Sequence, residues 1–136
     1  MIKTVRRTSV AGEEVEIDLT DYRVDPFELI DTLDALGSAD AIAAFMRAEY
    51  VRGYAGMSLA CPVTVWLERE TGVLPSVSIA TWTPRHEMDD FCGDDQRPWF
   101  ALPRHVELFV DGIDSDCYPD LARDPEELIY PAPAAS

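Results

Sequence analysis

Cys61 is the residue whose type and setting come nearest to covalent chemistry. It directly precedes Pro62, and a helix opening at that proline would place the thiol at its N-terminus, where the helix dipole lowers a thiol pKa. A cysteine hydrolase also needs a base and oxyanion donors. The two histidines, His86 and His105, belong to no recognisable partner motif. The other reading, a small buried residue at a helix start, asks for nothing further, so no catalytic residue is assigned and the chain is read as non-enzymatic. A metal would have to draw on Cys61, Cys92, Cys117 and a histidine, without Cys-x-x-Cys or His-x-x-x-His spacing, which is not a zinc pattern. The run Asp-Gly-Ile-Asp-Ser-Asp (111–116) lacks the glycine at position six and the distal glutamate of a calcium loop. No metal or cofactor site is assigned.

The carboxylates are more telling. Glu87, Asp89, Asp90, Asp94 and Asp95 are interleaved with Met88, Phe91 and Cys92. Such a stretch is either a solvated loop or an interaction loop that anchors through Phe91 and steers through its acids. Trp99-Phe100 follows directly, between Pro98 and Pro103; an outward-facing aromatic beside a charged rim is a common binding anchor. Further along, Glu107, Asp111 and Asp114 fall on one stripe of a candidate helix. Partner-binding candidates are therefore Glu87, Asp89, Asp90, Phe91, Asp94, Asp95, Trp99, Glu107, Asp111 and Asp114.

Charge is unevenly laid along the chain. Residues 1–34 carry nine acids against four bases, residues 35–86 four against four, and the last fifty thirteen against three, giving −5, 0 and −10. Adaptation to high salt would spread acid over the middle block as well. A field of this sign disfavours direct binding to nucleic acid or anionic membrane, which needs Lys and Arg to replace counterions, and favours a basic protein surface. With 47% apolar residues the 136-residue chain can bury a real core and does not read as disordered. No window approaches the roughly 18 apolar residues of a membrane span, and the basic start is not followed by the apolar run of a signal peptide. Three irregularly spaced cysteines fit a reducing cytoplasm better than a disulfide framework.

Several elements must position these groups. Residues 2–9 and 14–19 alternate about Ala11-Gly12, which predicts a hairpin with Glu14, Glu16 and Asp18 on its polar face and with Arg6 and Arg7 placed to pair with them. Asp25-Pro26 starts a helix that should bury Leu29, Ile30, Leu33 and Leu36 and stop at Gly37. Ser38 caps a second, whose face holds Ile42, Phe45, Met46, Glu49 and Tyr50 and which Gly53 and Gly56 end. The short connection points to an antiparallel pair. Residues 63–70 could read as a strand by their β-branched content, but Pro62, the apolar Leu59, Val63, Trp66 and Leu67 and the Thr71-Gly72 stop favour a third short helix. Residues 77–82 read as a strand, 83–98 as a loop and 99–102 as a short strand. Pro103 opens a last helix with Val106, Phe109, Val110 and Ile113 inward. Residues 118–136, with four prolines, read as an extended tail.

The residues Cys61, Pro62 and Leu67, then Val77 and Ile79, then Leu102, Pro103, Phe109 and Val110, and finally Tyr118, Pro119 and Leu121, form a pattern. It resembles one seen in small actinobacterial and actinophage proteins, over about residues 38–121. The resemblance implies a compact helical α+β domain of bacterial or phage source and no activity; the acidic stretch 84–98 departs from it. The fold expected is α+β, with an N-terminal β-hairpin, three to four short helices and a small antiparallel sheet. It should form a single compact acidic domain over 1–130, with 131–136 as a flexible tail. The function expected is that of an acidic binding or inhibitor protein, in its sharpest form a nucleic-acid mimic that occupies the basic groove of a host nucleic-acid-binding protein. DNA carries about one charge per 1.7 Å of axis, which a mimic must answer with rows of acids; the 14, 16, 18 and 107, 111, 114 series could supply them. The alternative is a phage or bacterial structural or regulatory module acting through an apolar dimer or partner interface, which leaves a homodimer open.

Overall fold

The computed structural model describes residues 3–54, 57–85 and 98–123. Among these residues it is an α+β fold of four helices with an N-terminal antiparallel hairpin, a three-stranded antiparallel sheet and one short parallel strand pair. β1 (Thr4–Thr8) pairs with β2 (Glu14–Asp18) in the register Thr4↔Asp18, Arg6↔Glu16 and Thr8↔Glu14. The strict two-residue alternation sorts the side chains by face. Val5, Arg7, Val15 and Ile17 are half-buried and turn inward, while Thr4, Arg6, Thr8, Glu14, Glu16 and Asp18 are exposed. Arg6 reaches Glu16 at 3.8 Å. Arg7 does not join the acids as expected, because the alternation carries it to the inner face, where its guanidinium lies 5.0 Å from the Phe27 ring centroid.

Helix α1 (Pro26–Asp34) begins where Asp25 accepts the Phe27 N–H at 2.8 Å, and it buries Phe27, Ile30 and Leu33. It stops two residues before the expected end and leaves Leu36 39% exposed. Ser38 caps α2 (Ala39–Ala48) by accepting the Ala41 N–H. Each of these helices packs mainly on α4 (Arg104–Asp114) rather than on the other. The strongly apolar stripe Val106, Phe109, Val110 and Ile113 on α4 offers both of them a better surface than they offer each other.

Gly53 and Tyr54 form β3, which runs parallel to β7 (Ala122–Arg123). A Cβ at position 53 would stand 2.2 Å from the Ala60 carbonyl oxygen, so only glycine lets the chain pass there. Helix α3 spans Pro62–Thr71 and ends on Gly72, which is left-handed at φ 82. The single strand expected at 77–82 is instead a hairpin of β4 (Ser76–Val77) and β5 (Thr81–Thr83), closed where Ser78 N–H donates to the Thr81 carbonyl. Folding back there buries both Val77 and Trp82, which a straight strand would send to opposite faces. β6 (Phe100–Ala101) pairs with β5.

One contiguous core runs through all four helices and the three-stranded sheet. At its centre the Phe27 ring meets Trp82 at 4.8 Å and Phe100 edge-on at 5.0 Å. The expected extended tail is folded at its start. Leu121 is buried, the Tyr118 hydroxyl donates to Asp40 at 2.8 Å, and Arg47 holds Asp120 through two N–H groups. Residues 124–136 lie outside the described residues.

Candidate interaction surface

The acids of β2 form a built row. Glu14, Glu16 and Asp18 are exposed on one face, about 7 Å apart at the strand rise. Glu16 is partly answered by Arg6, a pair more than half exposed on both sides and so worth at most about 1 kcal/mol. Asp18 accepts the Thr20 hydroxyl and amide, and these bonds hold its carboxyl below the usual carboxylate range. Asp18 therefore keeps its charge at the end of the row nearest Thr20.

Packing brings the two roots of the acidic stretch beside that row. Arg85 and Pro98 line one cleft of about 260 Å³ with Val15, Glu16, Asp18 and Tyr22. The Tyr22 hydroxyl donates to the Pro84 carbonyl at 3.1 Å. Arg85 pairs with Asp21 at 3.0 Å and lies 5.6 Å from the Tyr22 ring centroid. Of the residues singled out from sequence, Glu87, Asp89, Asp90, Phe91, Asp94 and Asp95 lie outside the described residues, as do His86 and Cys92.

Trp99 is half-buried, and its carbonyl accepts the Val10 N–H at 2.8 Å, tying the hairpin turn to β6; Phe100 is the buried member of the pair. Glu107, Asp111 and Asp114 are exposed on α4, on one stripe at i, i+4 and i+7. They sit on a different element from the β2 row. Asp114 lines a cleft of about 310 Å³ with Met57, Ser58, Cys61 and Ile79.

Cys61 caps α3 from within the core, at 3% exposure. The Thr64 hydroxyl donates to the Ser58 carbonyl at 2.7 Å, so across the 3.3 Å contact between the two side chains it is the Cys61 thiol that donates to Thr64. Burial pushes the thiol pKa up, the reverse of what a nucleophile needs.

Two residues stand where the sequence did not put them. Tyr50 was expected on the face of α2, but the helix ends at Ala48 and Tyr50 is 93% exposed at φ 57. Its N–H donates to the Arg47 carbonyl and that of Val51 to Met46, which is a Schellman cap with tyrosine where glycine is usual. Nothing in the local sequence marks it. Arg7 has a buried Nε without a hydrogen-bond partner among the described residues, and its inward position was legible from the alternation of β1.

Among the described residues no group of three or more His, Cys, Asp or Glu could hold a metal ion, and no helix is long and apolar enough to cross a membrane. No family model, no curated protein and no solved structure matches the chain.

Proposed function

We propose that this is a non-enzymatic acidic binding protein that engages a basic surface of a cytoplasmic partner, in the manner of a nucleic-acid mimic occupying the groove of a nucleic-acid-binding protein. The observation that carries the reading is the exposed Glu14, Glu16, Asp18 row set beside Arg85 and Pro98, the two ends of a stretch holding five more acids. Fixed carboxylates on a strand can stand in for a run of backbone phosphates, and a partner's Lys and Arg would exchange counterions for them. The buried, proton-donating Cys61 supports the absence of thiol chemistry.

The test is a pull-down from a bacterial lysate at about 50 and about 500 mM salt, repeated with added duplex DNA. The expected result is recovery of a nucleic-acid-binding protein at low salt only, displaced by DNA and lost in the triple variant Glu14→Gln, Glu16→Gln, Asp18→Asn. Capture that is unchanged across that salt range, or indifferent to the triple variant, overturns the reading.

A second reading, a structural or regulatory module with an apolar interface, is favoured by Leu59 and Ile79. They stand 38% and 50% exposed on segments joined by the Val77 N–H to Ser58 carbonyl bond. It predicts a dimer or complex that survives high salt and is broken by Ile79→Asp.

A further inference from the structure

The outer edges of β1 and β6 face one another across a gap. Among the described residues β1 pairs only with β2, and β6 only with β5. In an antiparallel pair, successive residues turn their N–H and C=O groups alternately toward and away from the partner strand. Ser9 donates to the Glu13 carbonyl and Leu19 to that of Lys3, so the backbone groups of Arg6, Thr8 and Val10 point away from β2. Leu102 donates to the Ala80 carbonyl, so those of Trp99 and Ala101 point away from β5. The Val10 to Trp99 bond joins the two edges at one end. Beyond it the ladder does not continue, and Thr8 and Ala101 flank a cleft of about 190 Å³.

That cleft has an apolar floor and an unanswered donor. Phe27, Ile30, Trp82 and Phe100 line it together with Arg7 and Asp31. The Arg7 guanidinium lies over Phe27, and its Nε is buried with no acceptor among the described residues. Buried polar groups in folded proteins are nearly always paired, so an orphaned guanidinium nitrogen beside an open slot marks a place where an oxygen is to be brought in. The slot has room for one side chain and not for a drug-sized ligand.

From these features we infer that the β1–β6 cleft is a strand-addition site for an extended segment of a partner protein. The segment lays its backbone along the outward groups of Thr8 and Ala101 and turns one leucine- to phenylalanine-sized side chain into the cleft between Arg7 and Pro103, over the edge of Phe27. It also supplies an oxygen acceptor to Arg7 Nε. Asp31 at the lining and the net charge of −15 select a segment whose apolar residue is flanked by Lys or Arg. Main-chain hydrogen bonds give such a site its affinity and the pocket its specificity. The site lies on the outer edge of β1 and is separate from the acid row of β2.

The probe is an acetylated and amidated pentapeptide, lysine-valine-phenylalanine-valine-lysine, titrated into the full ¹⁵N-labelled chain. Binding is expected to move the Arg7 Nε–H resonance and the Thr8 and Ala101 amides and to change Trp82 fluorescence. The peptide with alanine at its centre should bind about tenfold or more weakly, as loss of a buried phenyl group requires. Arg7→Met, which keeps the stem over Phe27 and removes the donor, should weaken binding while leaving the spectrum of the rest of the fold in place. No change at Arg7 Nε up to about millimolar peptide, or equal binding of the alanine peptide, overturns the inference. Shifts confined to Glu14, Glu16 and Asp18 overturn it too, while leaving the acidic-face reading standing.

Discussion

At the scale of single residues, Tyr50 is the clearest case of a side chain placed against its own preference. A left-handed tyrosine costs about 1–2 kcal/mol relative to a permissive glycine, and at 93% exposure it recovers nothing by burial. Tyr50→Gly should therefore stabilise the protein by about 1 kcal/mol in urea denaturation, after the entropy of the glycine is counted. A loss of stability would mean that the ring makes contacts worth more than the strain. Cys61 and Cys117 differ in the opposite way from a redox pair, one buried and one exposed. Iodoacetamide should label Cys117 promptly in the native protein and Cys61 only on unfolding, as read by peptide mass; prompt alkylation of Cys61 would reopen the nucleophile reading. Tyr118 has its pKa pushed up to about 12, first by burial and then by its bond to Asp40. Because the folded value lies above the ordinary 10.0, the fold holds the phenolic proton more tightly than the unfolded chain does. The stability this contributes is complete below about pH 10 and is lost between about pH 10 and 12. Ultraviolet titration should show a late-ionising tyrosine that disappears in Tyr118→Phe and moves earlier in Asp40→Asn.

At the scale of elements, local signals and long-range ones part company. Caps with their own chemistry were legible, as at Asp25-Pro26, Ser38 and Thr71-Gly72, since each satisfies its helix end within a few residues. The start of α4 was legible from Pro103, but its cap was not. Asp34, at the last turn of α1, accepts the His105 N–H at 2.9 Å, a bond across 71 residues that no window contains. The β4–β5 hairpin was misread because Val77 to Trp82 carries strand-forming residues throughout, and only the gain from burying both ends decides that the chain turns. The parallel β3–β7 pair depends on Gly53 in the same non-local way. Gly53→Ala, driven into the Ala60 carbonyl, should cost about 3 kcal/mol, since backbone cannot move aside as a side chain can. An unchanged urea midpoint would show that the β3 crossing is looser than its geometry states.

For the molecule as a whole, the charge is the governing quantity. The ion pairs Arg6–Glu16, Arg47–Asp120, Arg69–Glu49 and Arg85–Asp21 join exposed groups and are individually weak, whereas a net −15 repels itself. Raising salt from about 10 mM to about 0.5 M should therefore raise the thermal midpoint by about 3–5 °C, near 1 kcal/mol for a chain of this size. A fall would mean that the local pairs outweigh the repulsion.

The sequence by itself determined the two acidic flanks, the hairpin and its polar face, and the Pro62 start and Gly72 stop that bound α3. Each of these rests on neighbours a few residues apart. Tertiary structure alone decided that Arg85 and Pro98 stand against the β2 acids and that Tyr50 leaves its helix. It also decided that Arg7 lies over Phe27 beside the outer edges of β1 and β6, its Nε without an acceptor among the described residues. Those outcomes depend on which distant surfaces must be buried together, and that competition is settled only when the whole core closes.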